Sequence, residues 1–177
     1  ITIGGNLTAM RVINCILYLA TLVSDVSITG NTIGNATIAN SIQTTTTAPP
    51  SNFNCIQSNS IGSFDINISN NTVANITEVS TDNTISTSLF GITSSDAGIV
   101  TISNNYVHDL ATATKNKTSK GFTNYLAFIG ISGADGVTIT NNTIYNLKLT
   151  SLTVQPLTVG IFVNHGSGNI ISKNIVY

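Results

Sequence analysis

Charged side chains are scarce in this chain of 177 residues. Only 7% of its residues are Asp, Glu, Lys or Arg, against roughly 25% in an average globular protein. Six Lys and Arg residues and seven Asp and Glu residues are scattered singly, so the sequence predicts no basic surface for a nucleic acid. Apolar residues make up 41%, and the regular spacing of 25 Ile residues argues against intrinsic disorder.

Long apolar runs are also absent. No run of about 18 apolar residues occurs, so no transmembrane helix is predicted. The most apolar stretch, INCILYLATLV from Ile13, is interrupted by Asn14, Cys15 and Thr21. No signal peptide is recognisable, and the chain begins at Ile1 in the middle of a pattern. We therefore expect a processed chain or an excerpt of a longer repeat protein.

What the sequence does contain is a recurring phrase of alternating apolar and polar residues that leads to an asparagine. It reads VSITGNTIGNA from Val26, INISNNTVANI from Ile66, VTISNNYVHDL from Val100 and VTITNNTIYNL from Val137, with clipped copies at both ends. A second pattern, such as FNCI from Phe53, recurs before five of the aligned asparagines. Its Cys or Gly residue lies 12–16 residues before the asparagine. Because two independent patterns recur in the same order, they indicate a sequence repeat. Successive aligned asparagines are 25–40 residues apart. The aligned asparagines are Asn6, Asn31, Asn71, Asn105, Asn142 and Asn174.

Each copy predicts short strands. Apolar residues alternate with Thr or Ser at the two-residue period of a strand, and Gly, Ser and Asp before the phrase are turn signals. Short strands at this spacing predict a solenoid in which each strand pairs with its equivalent one coil away. We predict an all-β parallel β-helix of about five coils, one domain over residues 1–177, with long loops over 41–52 and 111–124. The apolar residues expected to face inward are Val26, Ile28, Ile33, Ile66, Ile68, Val73, Val100, Ile102, Val107, Val137, Ile139, Ile144 and Ile171.

The aligned asparagines are expected to act where a strand ends and the coil bends. Asn adopts the left-handed backbone region more readily than most residues. An inward amide can also donate and accept along the rod, to its equivalents above and below. The sequence therefore predicts a ladder of Asn31, Asn71, Asn105, Asn142 and Asn174. A second row four residues later is expected to mark the next bend: Asn35, Asn75, Asp109 and Asn146.

The phrase V-T-I-x-x-N-x-I-x-N resembles the repeat of right-handed parallel β-helix proteins, the pectate-lyase-like superfamily. The resemblance covers the whole chain and is closest to the Thr- and Asn-rich β-helix surface proteins of bacteria. It implies a right-handed coil but not an activity, because this fold carries lyases, hydrolases, adhesins and phage fibres. The coils expected here are longer than those common in that superfamily.

The two cysteines occupy equivalent positions in successive coils. Stacking in register would bring the Cα atoms of Cys15 and Cys55 about 4.8 Å apart, which lies within disulfide range. The sequence leaves two alternatives open: a disulfide bond, or a stacked pair of buried thiols.

Candidate catalytic groups do not form a recognisable set. Enzymes that share the resemblance use clustered acids with a basic residue, whereas Asp25, Asp65, Asp96 and Asp135 each precede a strand, where turn capping is expected. A calcium site from Asp96 and Asp135 lacks the further oxygen ligands that this ion requires. His165 is expected in an exposed loop, and His108 in an outward row with Tyr145. We predict no catalytic residue, metal or cofactor.

The function favoured by these observations is a non-enzymatic structural or adhesive rod, such as a fibre subunit or adhesin segment. The 23 Asn, 27 Thr and 19 Ser residues that replace charge favour an extracellular or cell-surface location. The expected partners are further copies, stacked head to tail, or surface carbohydrate. A carbohydrate-active or carbohydrate-binding β-helix protein is the alternative. An ice-binding face is a third interpretation, based on the outward pairs Ser27/Thr29, Asn67/Ser69, Thr101/Ser103 and Thr138/Thr140.

Overall fold

The computed structural model of the chain describes residues 2–4, 12–20, 25–46, 52–60, 64–80, 88–96, 98–114, 127–151, 157–163 and 166–177. The regular structure within these ranges is β-strand, as their Ile, Val and Thr content predicts. The strands in chain order are β1 (Thr2–Gly4), β2 (Val12–Ala20), β3 (Val26–Thr29), β4 (Thr32–Gly34), β5 (Ile42–Thr46), β6 (Asn52–Ser60), β7 (Ile66–Ser69), β8 (Thr72–Ser80), β9 (Ser88–Ser94), β10 (Val100–Ser103), β11 (Tyr106–Thr114), β12 (Ala127–Gly133), β13 (Thr138–Thr140), β14 (Thr143–Ser151), β15 (Leu157–Val163), β16 (Ile170–Ser172) and β17 (Ile175–Val176).

The strands form three parallel sheets. Sheet I contains β2, β6, β9, β12 and β15, and sheet II contains β3, β7, β10, β13 and β16. Sheet III has the order β1, β5, β8, β11, β14 and β17, with β4 also paired to β8. Each strand pairs with its equivalent in the next repeat, as β7 does with β10. The predicted all-β parallel solenoid is therefore confirmed for the described ranges.

The pairing register places equivalent apolar residues in columns. In sheet II, Ile28 pairs with Ile68, and the column continues through Ile102, Ile139 and Ile171. All the predicted inward residues except the first and the last are buried. One turn of the chain cannot cover its own inner face, so these columns are the hydrophobic core that joins the turns.

The number of complete turns is three, whereas about five coils were expected. The strand sets β6–β8, β9–β11 and β12–β14 each supply one strand to all three sheets. In the first turn the sheet III strand is divided, because β4 ends at Gly34 with a φ of +81° and residues 35–41 intervene before β5. In the last turn β17 has only two residues, in keeping with the clipped copy of the phrase there.

The two segments expected as long loops are partly strand. Residues 42–46 form β5, and residues 111–114 extend β11. Their Thr and Ile residues continue the ladder of sheet III because strand neighbours are present on both sides. Residues 47–51 and 115–124 of these two segments lie outside the described residues.

Candidate functional site

The five asparagines of the predicted ladder lie in one column at the corner between sheets II and III. Each follows a sheet II strand and precedes a sheet III strand, as Asn105 does between β10 and β11. The side chains of Asn71, Asn105 and Asn142 have 0% exposure, and those of Asn31 and Asn174 are half-buried. The column therefore runs inside the solenoid, parallel to its axis.

Hydrogen bonds connect each amide of the column to the next. The distances from Nδ2 to Oδ1 are 3.0 Å from Asn31 to Asn71, 3.0 Å from Asn71 to Asn105, 2.9 Å from Asn105 to Asn142 and 3.0 Å from Asn142 to Asn174. Each of these Oδ1 atoms also accepts the backbone N–H of the preceding ladder asparagine, at 2.9 or 3.0 Å. From Asn71 onward, each Nδ2 group also donates to an Ile carbonyl of the turn before.

The column has a direction. Every side-chain bond along it is donated toward the C-terminal end of the solenoid and accepted by the following asparagine. The amides inside the column are fully partnered, which buried polar groups require. Among the described residues, the column begins with the Oδ1 acceptor of Asn31 and ends with the amide of Asn174, whose Nδ2 group also donates to the carbonyl of Ile139. The ends of the column are therefore complementary to each other.

The left-handed residue at this corner is the one before each ladder asparagine. Asn70, Asn104, Asn141 and Lys173 have φ values of +55° or +56°, and Gly30 holds the first such position with φ +68°. The expectation that the ladder asparagines themselves adopt this conformation is wrong. Their neighbours bend the backbone, and this bend turns the ladder side chains into the interior, where hydrogen bonds hold them.

The second row of polar residues makes the next bend. Asn75, Asp109 and Asn146 have φ values of +57°, +52° and +50°, and each interrupts the pairing in the middle of its sheet III strand. The expected bend is confirmed at these three positions. In the first turn the left-handed residue is Gly34, whereas Asn35 accepts backbone N–H groups of the inserted loop through its Oδ1.

Three aromatic rings stack on the outer face of sheet III. The ring centroids of His108 and Tyr145 are 4.7 Å apart, and those of Tyr145 and Tyr177 are 5.0 Å apart, with ring planes within 3° of parallel. His108 was expected to be a surface side chain, but it is only 6% exposed because its ring packs against Tyr145. Its Nδ1 lies 2.6 Å from Oδ2 of Asp109. Partial burial acts to raise the pKa of Asp109, but hydrogen bonds with His108 and Asn146 lower it below its ordinary value.

The two cysteines are free thiols at equivalent positions of β2 and β6. The pairs Asn14–Asn54 and Ile16–Ile56 flank them in the register. Of the two alternatives, the structure contains thiols rather than a disulfide bond, and the oxidation state of the pair stays a prediction. Cys55 is buried, whereas Cys15 is exposed because β2 is the edge strand of sheet I.

The two thiols are expected to differ strongly in reactivity. Burial, followed by the nearby Cys15, raises the pKa of Cys55 well above its ordinary value, whereas partial burial alone raises the pKa of Cys15. A thiol-specific chromogenic reagent should therefore titrate Cys15 in the native chain and Cys55 only after denaturation. The Cys15→Ser variant should show no fast-reacting thiol. Absence of both thiols in the denatured, unreduced chain would show instead that the disulfide forms.

The four aspartates that precede strands differ in exposure, and this separates Asp96 from Asp135, the pair considered for a calcium site. Asp96 is buried at 3% exposure, whereas Asp25, Asp65 and Asp135 are exposed. The backbone N–H of Asp65 donates to Oδ1 of Asp25 at 3.2 Å, so this carboxylate bonds to the next turn of the solenoid rather than capping its own. In the ranges that the structure describes, no three His, Cys, Asp or Glu side chains are grouped so that they could hold a metal ion. His165 lies outside those ranges.

The outward Ser and Thr pairs of sheet II do not form a uniform exposed surface. Ser69 and Ser103 are buried, and Oγ1 of Thr140 lies 3.2 Å from Oγ of Ser172. A row of hydroxyl groups that is interrupted by buried serines does not give the regular exposed surface on which the ice-binding interpretation is based. That interpretation stays a prediction.

Within the described ranges there is no helix with the length and apolar character that a membrane crossing requires.

A parallel solenoid is compatible with the resemblance to pectate-lyase-like proteins, but fold alone does not identify a function. Comparison with protein-family models, with curated proteins and with solved structures finds no match to this chain.

Proposed function

We propose that this chain is a non-enzymatic structural or adhesive rod of the extracellular space or cell surface, and that copies of it stack head to tail. The rod would be a right-handed parallel β-helix of the pectate-lyase-like kind. The observation that supports the proposal most is the directional asparagine column, which runs from Asn31 to Asn174 with complementary ends.

The right-handed sense is supported by a general rule of chain connection. A crossover that joins parallel strands of one sheet is right-handed in about 98% of cases. Here the chain passes from β6 to its neighbour β9 through β7 and β8, which lie in the other two sheets. The same path recurs from β9 to β12. A right-handed coil satisfies the rule at each of these connections.

The last rung of the given sequence exposes an apolar surface that a further rung would cover, whether that rung belongs to a longer chain or to a second copy. Ile171 continues the buried Ile column of sheet II but is 54% exposed, whereas Ile139 one turn earlier is 0% exposed. Ile175, Val176 and Tyr177 in the same rung are 52–75% exposed. Burial of this surface by a further rung would be favourable, by about 25 cal/mol for each Å² of apolar area removed from water.

The N-terminal end offers a surface of matching character. A concave opening of about 760 Å³ lies there, and Ile16, Ile33, Ile38 and Ile42 contribute to its lining, together with Asn31. The Oδ1 atom of Asn31 is the acceptor end of the column. A second copy whose Asn174 approached this end would continue both the amide ladder and the apolar columns, which is a heterologous, open-ended contact.

Two further features support the structural role and the location. The ladder asparagines of the interior bond to their equivalents along the axis, so each added rung extends the same network. The composition is rich in Asn, Thr and Ser and has 7% charged residues, which favours an extracellular surface.

Assembly of the 177-residue chain tests the proposal. Sedimentation velocity and negative-stain microscopy over a range of concentrations should show linear particles many times longer than one copy, for which the column from Asn31 to Asn174 spans about 20 Å at a rung spacing of about 4.8 Å. The variant Ile171→Lys, which places a charge on the stacking surface, should remain monomeric. The variant Ser27→Lys, on the exposed outer face of sheet II, should assemble like the wild type. A wild-type chain that stays monomeric at all concentrations, or equal assembly of both variants, would refute stacking.

A further inference from the structure

A small group of polar side chains lies inside the solenoid, near the end of sheet I. Tyr18, Ser58 and Ser94 come from β2, β6 and β9 and occupy one column, since Tyr18 pairs in register with Ser58 and Ser58 with Ser94. Asp96 follows two residues after Ser94, on the same inward face. The hydroxyl of Ser94 donates to Oδ2 of Asp96 at 2.6 Å.

The group is buried and incompletely hydrogen-bonded. Ser58 is 0% exposed and Asp96 is 3% exposed, and Tyr18 packs against the hydrophobic core. The hydroxyl oxygen of Tyr18, Oγ of Ser58 and Oδ1 of Asp96 are each shielded from solvent, with no hydrogen-bond partner among the described residues. Three such atoms, on the side chains of one register column and of the aspartate that is hydrogen-bonded to it, are unusual because most buried polar side-chain atoms have a partner.

The carboxyl group of Asp96 also lacks a cationic partner in the part of the chain that the structure describes. Within the described ranges Asp96 forms no ion pair, and the pair of His108 with Asp109 lies away from it, on the outer side of sheet III. An isolated buried carboxylate is strongly unfavourable unless a cation or several hydrogen bonds compensate it. A positive ion near Oδ1 would remove this penalty and would also provide a partner for the hydroxyl oxygens.

We propose that Asp96, Ser58 and Ser94 form an internal site for a hard cation held by oxygen ligands, with Tyr18 beside it. Carboxylate and hydroxyl oxygens are donors that hard cations prefer, whereas soft metals favour thiolate and imidazole. An alkali ion fits this small set best, since calcium would need further oxygens from water or backbone carbonyls. Because the donors come from β6 and β9 and the segment after β9, the ion would tie two successive turns together. The site contains a single carboxylate, that of Asp96. It therefore differs from the calcium site of Asp96 and Asp135 that was considered from the sequence, since Asp135 is exposed.

Cation-dependent unfolding of the full chain tests the proposal. The protein is freed of metals with a chelating resin, and its unfolding midpoint is measured with increasing sodium, potassium, magnesium or calcium at constant ionic strength. At least one of these cations should raise the midpoint in a saturable manner, by about 5–10 °C at a hundredfold excess over its dissociation constant. The four arms distinguish an alkali ion from a divalent ion. Terbium luminescence excited through tyrosine provides a second readout, since Tyr18 lies beside the site.

Matched variants separate this site from general charge effects. Asp96→Asn should lose the cation-dependent shift, whereas Asp65→Asn, the same change at an exposed carboxylate, should retain it. If Asp96→Asn does not fold, Ser58→Ala keeps the carboxylate and should require at least a tenfold higher cation concentration for the half-maximal shift. A wild-type midpoint that no cation shifts would overturn the proposal. An unchanged response in Asp96→Asn or in Ser58→Ala would overturn it equally.

Discussion

Replacement of Asn142 by leucine is expected to destabilise the chain by about 4 kcal/mol or more, because several buried groups would lose a partner at about 1–3 kcal/mol each. The Oδ1 atom of Asn142 accepts the backbone N–H and the Nδ2 group of Asn105, both at 2.9 Å. Its own Nδ2 donates to the carbonyl of Ile102 at 2.9 Å and to Oδ1 of Asn174 at 3.0 Å. Leucine has a similar size but can replace none of these bonds.

Chemical denaturation monitored by circular dichroism measures this effect, and the adjacent residue provides the control. Asn141 is exposed and has a φ of +56°, so Asn141→Leu should cost only about 1–2 kcal/mol, the penalty for a side chain in the left-handed region. Asn141→Gly should cost little, because glycine adopts that region freely. Equal losses from Asn142→Leu and Asn141→Leu would show that the amide column contributes nothing beyond backbone geometry.

The second large effect is expected from Gly91→Ala, at a position where sheet I approaches sheet III. A Cβ atom on Gly91 would lie 2.4 Å from the carbonyl oxygen of Gly130 and 2.6 Å from Cγ1 of Val107. Both neighbours belong to the packed interior, so a turn of the solenoid would have to shift to make room. Overpacking of this kind costs about 1–3 kcal/mol, which outweighs the smaller gain of about 0.4–1 kcal/mol from a stiffer unfolded chain.

A glycine in open space is the matched control for this prediction. Gly136 has a φ of +69°, and a Cβ atom added to it would have no neighbour within 4 Å, so Gly136→Asn should be nearly neutral, since Asn tolerates the left-handed region. Gly91→Asn should be at least as damaging as Gly91→Ala. If the midpoint of denaturation of Gly91→Ala equals that of the wild type, the close approach of the two sheets is not a constraint on the sequence.

Most of the inward and outward pattern could be predicted because two simple periodicities coincide. The two-residue alternation assigns each side chain to a face, and the constant phase of the repeat places equivalent residues such as Ile68 and Ile102 side by side. The asparagine column could be predicted for the same reason, because Asn71 and Asn105 hold the same phase. The backbone conformation at the corner between the two sheets could not be predicted from the sequence. Asn104 and Asn105 are the same residue type, and only the direction of the bend decides which of them is left-handed.

The candidate cation site was missed because its burial depends on neighbouring turns. Asp96 follows serines and lies close to a glycine, which is a pattern typical of a turn, and Asp135 has similar surroundings in the next repeat. In the structure the inward alternation of β9 continues past Ser94 to Asp96, whereas Asp135 is exposed. The repeated Ile-x-Ser spacing at Ser58 and Ser94 was a usable signal, since it puts both hydroxyls on the face of the buried Ile.

The order of residues alone therefore specified the strands, their parallel stacking and the axial column, since these follow from local alternation repeated in phase. Three-dimensional contacts decided the features that depend on what lies above or below a given turn. They include the exposed Cys15 beside the buried Cys55 and the stacked rings of His108 and Tyr145. The physical reason is that burial in a solenoid is supplied by adjacent turns, so equivalent residues acquire different environments according to their neighbours.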